Sequence, residues 1–193
     1  MNNIIISVKD LSVVYGERTI LENVSFDIKR GEVFVIVGGS GCGKSTLLRF
    51  ILSELKLSCN EYLYMPQELD RTMMDEIYTT LRKLQKEEFT QVMNVVASLG
   101  SRPERVLDSA NCSPGEWRKL FFGLGVLRKV NLIIMDEPTN HLDLPSIQCL
   151  ENALAACESA LLLVSHDLIF LKKCCSIHWR IEQGGLKKSF FPS

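Results

Sequence analysis

The sequence predicts an α/β fold: a mainly parallel sheet carrying a phosphate-binding loop, with N-terminal antiparallel strands and a small helical subdomain. Three observations predict it. Val33–Val37, Leu132–Met135 and Ala160–Val164 are continuous apolar runs, the pattern of strands buried on both faces. Stretches of helical period separate them, so the strands need crossover connections and run parallel. Directly after the first run, Gly38-Gly39-Ser40-Gly41-Cys42-Gly43-Lys44-Ser45-Thr46 matches G-x-x-x-x-G-K-[ST].

Each element follows in order. Residues 4–37 alternate in short strand-like stretches, Ile4-Ile5-Ile6-Ser7-Val8 and Val24-Ser25-Phe26-Asp27-Ile28, with a turn at Lys29-Arg30-Gly31. After the glycine-rich loop, Leu47-Leu48-Arg49-Phe50-Ile51-Leu52 opens a helix. Residues 68–130 are mostly helical in period, Met73 to Lys86 and then Phe89 to Leu99, broken by Gly100 and Pro103. The helical subdomain is placed at about 68–125. Residues 131–193 return to strand–helix alternation. With no internal repeat and no low-complexity linker, the chain reads as one domain over residues 1–193.

Composition narrows the classes of function. The 22 Lys and Arg nearly cancel the 23 Asp and Glu, so no global basic field exists for nucleic acid or acidic lipid, and no DNA partner is expected. No apolar run reaches the ~18–20 residues of a membrane span, and Met1-Asn2-Asn3-Ile4 lacks the charged start of a signal peptide. The seven cysteines form no C-x-x-C pair, which argues against zinc and a disulfide framework and fits reduced thiols in the cytoplasm.

The loop chemistry is specific. Its glycines let the backbone turn tightly and aim N–H groups at phosphate oxygens, at the positive end of the following helix. Lys44 is expected to reach the β- and γ-phosphates and the Ser45 hydroxyl to bind Mg²⁺. A phosphate loop also needs a carboxylate at a neighbouring strand end to hold the metal's water shell. Leu132-Ile133-Ile134-Met135-Asp136-Glu137 supplies two: Asp136 for Mg²⁺, and Glu137 to polarise an attacking water.

With these residues in place the sequence resembles the ATP-binding cassette (ABC) ATPases along nearly its whole length. Tyr15, in Val14-Tyr15-Gly16-Glu17, matches the aromatic that stacks on adenine. Gln67, in Tyr64-Met65-Pro66-Gln67-Glu68, matches the glutamine that senses metal and γ-phosphate. Ser113-Pro114-Gly115-Glu116 stands where the family signature L-S-G-G-Q belongs. Asn140-His141-Leu142-Asp143 matches the loop that crosses between sites, and His166, in Val164-Ser165-His166-Asp167, matches the switch histidine. The resemblance implies ATP and Mg²⁺ as ligands. Gly38 to Thr46 would cradle ATP, with Ser45, Gln67 and Asp136 around the metal and Glu137, His166 and Gln67 serving hydrolysis. It also implies a second cassette, whose γ-phosphate would meet the Ser113 hydroxyl, the Gly115 N–H and Glu116 across an ATP sandwich.

The chain departs from the family pattern at Cys112-Ser113-Pro114-Gly115-Glu116, where Pro114 has no N–H to offer a phosphate but has a φ suited to a first helical turn. Gly123 and Gly125 lie inside the presumed following helix, at a cost of roughly 1 kcal/mol each unless close packing requires them. The interval from Lys44 to Gln67 is short for a transporter cassette, so the strand hairpin expected there is trimmed or missing. The sequence supports three readings, taken here in order of preference. An ATPase subunit of an ABC transporter, peripheral at the inner face of the membrane through a membrane-domain partner, is favoured by the single cassette and by Gly39-Ser40-Gly41. It would expose Met73, Met74 and Ile77 in a groove. A soluble ABC-F-like factor acting on ribosomes is favoured by Ser113-Pro114-Gly115-Glu116-Trp117-Arg118-Lys119 and by the His166 segment. It would present Arg82-Lys83, Lys86, Arg118-Lys119 and Lys187-Lys188 as basic surface. The third is an ATP-binding scaffold with weak turnover.

Overall fold

The computed structural model describes residues 3–39, 41–58, 60–103, 112–175 and 177–191. The phosphate contact expected at Ser40 lies outside them. The first two strands, β1 (Ile4–Tyr15) and β2 (Arg18–Lys29), form an antiparallel hairpin. They are much longer than the short stretches the alternation suggests. The register slips several times between Ile4 and Val14, and Asp10 and Asn23 take positive φ there. Each slip moves residues to the opposite face, which hides a continuous strand from a period-2 reading. Side-chain hydroxyls satisfy the displaced backbone: Asp10 N donates to Ser25 Oγ at 2.9 Å and Asn23 N to Ser12 Oγ at 3.0 Å.

The main sheet has the order β4-β5-β6-β3-β7-β8. Its strands are β3 (Val33–Val37), β4 (Tyr62–Met65), β5 (Leu132–Asp136), β6 (Ala160–Val164), β7 (Ile177–Glu182) and β8 (Gly185–Phe190). All pair in parallel except β8, which runs antiparallel to β7. The apolar runs divide by parity, as strands covered on both faces must. Phe34, Ile36, Leu132, Ile134, Leu162 and Val164 pack with the hairpin and α1 (Lys44–Glu54). Val35, Val37, Ile133, Met135, Leu161 and Leu163 form the core of the opposite face. Between α1 and β4 the described residues form no strand, in line with a trimmed hairpin.

The described residues between β4 and β5 are mainly helical. The two helical stretches read at Met73–Lys86 and Phe89–Leu99 are α2 (Arg71–Lys83) and α3 (Lys86–Ser98), divided where Gln85 and Glu88 form a capping box that starts the second helix. The helix α4 (Pro114–Leu127) packs on both, and Ile77, Leu81, Val92, Met93, Val96, Trp117, Leu120 and Leu124 share one core. Ile77 is 2% exposed, so the apolar groove expected to display it is corrected: the residue is the buried stripe of an amphipathic helix. Gly123 and Gly125 are explained by packing. A Cβ on Gly123 would lie 3.1 Å from Val92 Cγ1, and one on Gly125 would run into Leu63. Two further helices, α5 (Leu144–Ala155) and α6 (Leu168–Cys174), follow β5 and β6. At the end of α6, burial pushes the Cys174 thiol up to about 12 and that of Cys175 to about 11. No described helix is long and apolar enough to cross a membrane.

Candidate functional site

Between β3 and α1 the chain turns through Gly41 and Gly43, with φ of +72° and +107°, a region in which L side chains are strained. Gly43 is needed twice over, since a Cβ there would lie 2.9 Å from Ile20 Cγ2. It occupies the N-cap of α1 and brings no side chain to cover the first helical N–H groups, which leaves them for an anion. Lys44 Nζ donates to Gly38 O at 2.6 Å and Gly39 O at 3.0 Å, so the ammonium lies folded over the loop.

The parallel strands β4, β5 and β6 all end beside this loop, because a parallel sheet delivers its carboxyl ends to one edge. Asp136 ends β5. Burial first and the neighbouring Glu137 carboxylate second hold its carboxyl above the ordinary aspartate range, against the pull of Lys44 and Arg118. Glu137 takes a φ of +48° and is 7% exposed. Its Oε2 accepts from Ser165 Oγ at 2.9 Å and His166 N at 3.2 Å, and lies 2.9 Å from His166 Nδ1. That last contact orients the imidazole and leaves Nε2 free for another group. The His166 side chain is 71% exposed.

These residues surround a cleft of about 630 Å³. Of the predicted site residues it gathers Tyr15, Gly38, Gly39, Gly41, Gly43, Lys44, Ser45, Thr46, Gln67, Asp136, Glu137 and His166, and it adds Ile20. Tyr15 stands 67% exposed, with a ring face to offer. Cys42 does not line the cleft; it packs against the apolar layer under the hairpin. Ser113, Gly115 and Glu116 also lie elsewhere. They line a second, polar cleft of about 590 Å³ with Ser101, Arg102, Lys119, His141, Asp143 and Ser146. Ser113 is the N-cap of α4 and Pro114 its first residue, the place that its φ and missing N–H suit. Ser113 N and Ser113 Oγ both donate to Glu116 Oε2 at 2.8 Å. Gly115 lets the crossing loop approach: a Cβ there would lie 2.6 Å from His141 O.

The expectation of basic surface at Arg118-Lys119 is corrected. Arg118 is 3% exposed and Lys119 is likewise buried. Arg118 donates from Nη1 to Pro66 O and Gln67 O, at 2.9 and 2.8 Å, and from Nη2 to Asp136 O and Glu137 O, at 3.4 and 3.1 Å. Lys119 Nζ donates to Ser146 Oγ at 2.7 Å and Ser101 Oγ at 2.9 Å. Sequence reasoning missed both roles, and Ser165 with them. The available signal was a pair of cations between Trp117 and Leu120-Phe121-Phe122, where a solvated charge has no place.

Known proteins resemble this chain in sequence and in fold. The sequence profile described as "ABC transporter" matches residues 21–140. The chain belongs to the ATP-binding cassette family. This cassette is 32% identical over 95% of its length to the ribosome protection protein VmlR of Bacillus subtilis, of which it spans 35%. It is 28% identical over 94% of its length to ABC transporter F family member 2 of Arabidopsis thaliana, of which it spans 29%. The chain therefore spans about a third of the length of the curated relatives it matches. The solved ATP-binding subunit of an ABC transporter superposes with a TM-score of 0.76 at 24% identity, covering 95% of this chain and 89% of that one. The α/β cassette fold, with its parallel core and N-terminal antiparallel strands, is thus shared with solved ABC structures.

Proposed function

We propose that this cassette binds ATP with Mg²⁺ in the first cleft and hydrolyses it when the second cleft of another cassette closes over the γ-phosphate. The observation that carries this reading is the division of the predicted residues. Donors for phosphate and the acid–base groups share one cleft, while the signature residues Ser113 and Gly115 line another. In the first cleft, the N–H groups of the glycine loop and Lys44 bind the phosphates, and Tyr15 stacks on the base. Glu137, held by Ser165 and His166, takes a proton from the attacking water. His166 presents Nε2 toward the γ-phosphate. Gln67 reports the presence of that phosphate to the helical region.

No group of three or more His, Cys, Asp or Glu that would hold a metal occurs among the described residues. Ser45 and Asp136 both face the first cleft, however. This donor set fits Mg²⁺, which takes one or two protein ligands and completes its octahedron with phosphate oxygens and water. When bound, Mg²⁺ would supply charge neutralisation between the β- and γ-phosphates.

For its setting we propose the ribosome, as an ABC-F-like factor or part of one. The supporting observation is similarity over nearly the whole chain to a ribosome protection protein and to an F-family member. A transporter ATPase subunit is the second reading, favoured by Gly39-Ser40-Gly41 in the phosphate loop. The burial of Ile77 removes one element of the docking groove that this second reading requires.

The test is ATP hydrolysis across a range of protein concentrations, wild type beside Glu137→Gln. Specific activity should rise with concentration, and the variant should lose about 10²–10⁴ of the rate, the share a general base supplies. Glu137→Gln should also form an ATP-dependent dimer by light scattering. A variant that binds ATP yet stays monomeric at millimolar nucleotide overturns the composite site for a homodimer. A flat, near-zero wild-type rate despite binding leaves the weak-turnover scaffold.

A further inference from the structure

We infer that Arg118 is a positioning residue that ties the signature helix α4 to both catalytic strand ends, so that the two clefts move as one unit. Its guanidinium is spread over four backbone carbonyls. Two belong to the segment leaving β4, Pro66 and Gln67, and two to the end of β5, Asp136 and Glu137. A planar fork with two terminal nitrogens can hold two such pairs at once, whereas an ammonium cannot match that geometry. The same helix begins at Ser113 and carries Gly115 in its first turn, in the second cleft. Displacing α4 therefore pulls on the backbone of Gln67 and Glu137, whose side chains line the first cleft.

The arrangement is costly as packing. Arg118 is 3% exposed, is in no ion pair among the described residues, and its Nε has no hydrogen-bond partner. A buried cation compensated mainly by carbonyls, with one donor unsatisfied, is a poorer core element than an apolar side chain of similar length. Its neighbour Lys119 shows the contrast. Lys119 fastens α4 to Ser101 and to Ser146 of α5, wholly on the side of the second cleft, and reaches neither strand end. Arg118 alone of the two spans the gap between the clefts.

This inference rests on the proposed ATPase reading only where it concerns turnover, so the test has one arm independent of it. In the nucleotide-free protein, hydrogen exchange is measured for wild type, Arg118→Met and Arg118→Lys. Arg118→Met should speed exchange at residues 67–69 and 137–140 by about tenfold or more, as loss of several charge-assisted bonds requires. Exchange in β3 and β6 should stay as in wild type, and Arg118→Lys should fall between. In the second arm kcat should drop about 10- to 100-fold for Arg118→Met, the range for an outer-shell partner, while ATP affinity holds. Unchanged exchange in the two segments overturns the inference, and so does acceleration throughout the chain, which marks a merely structural role. Parallel loss of affinity and kcat overturns it as well. If wild type shows no turnover at any concentration, the ATPase reading falls, and the exchange arm still decides Arg118.

Discussion

Asp136 and Asp143 stand at opposite ends of the connection from β5 to α5, and the fold shifts their carboxyls in opposite directions. Asp136, in the first cleft, is raised by burial and by Glu137 beside it. Asp143, in the second, is lowered by the Ser146 hydroxyl first and then by Ser146 N, from which it accepts at 3.0 Å as the cap of α5. The surroundings oppose the charge of one aspartate and support that of the other. The difference fits the proposed cation site at Asp136 and a scaffold role for Asp143. Structure that opposes its own charge is expected where a ligand supplies the missing partner.

The comparison can be broken most sharply at Gly115. In Gly115→Ala the new Cβ would meet His141 O at 2.6 Å, so the crossing loop or α4 must give way. Turnover should fall by about tenfold or more, with overpacking costing about 1–3 kcal/mol of stability, while ATP affinity in the first cleft stays at the wild-type value. Equal loss of affinity and rate, read by nucleotide titration beside kinetics, would mean that the clefts are not separate.

A smaller effect should distinguish the two aspartates. Asp136→Asn removes a repelled carboxylate and should raise the nucleotide-free Tm by about one to a few degrees, the repulsion being partly screened in an open cleft. Asp143→Ala removes a cap and should lower it. The pH dependences have opposite sign. The Asp136 penalty grows as pH rises from the unfolded value near 3.9 to its raised folded value and is full above that. The Asp143 contribution is fully present above about 3.9 and is lost as pH falls through its lowered value. Thermal melts of both variants between acid and neutral pH read these slopes directly. The same sign in both would remove the distinction. The smallest change is at Tyr15: Tyr15→Ala should weaken ATP binding by about 2- to 10-fold, the worth of one stacked ring, with the second cleft unaffected.

Much of the first cleft was legible because its chemistry is local in sequence. A strand, a glycine loop, Lys44 and a helix are contiguous, and Asp136-Glu137 and His166 each follow an apolar run. The hairpin was less legible, since slips near Asp10 and Asn23 break the alternation that marks a strand. Arg118 and Lys119 were misread altogether. A cation in a helix looks solvated until the neighbouring elements are in place, and here Pro66, Gln67, Asp136 and Glu137 come from two distant segments.

The sequence by itself determined the phosphate loop, the carboxylates at the strand ends, the parallel core and the fit of Pro114 to a first helical turn, because each depends on residues a few positions apart. Only the tertiary structure decided that Gly115 packs against His141 O, that Ile77 is core, and that Arg118 joins the two clefts. Those outcomes depend on which carbonyls and side chains meet across elements, and burial and hydrogen-bond satisfaction are properties of the packed whole.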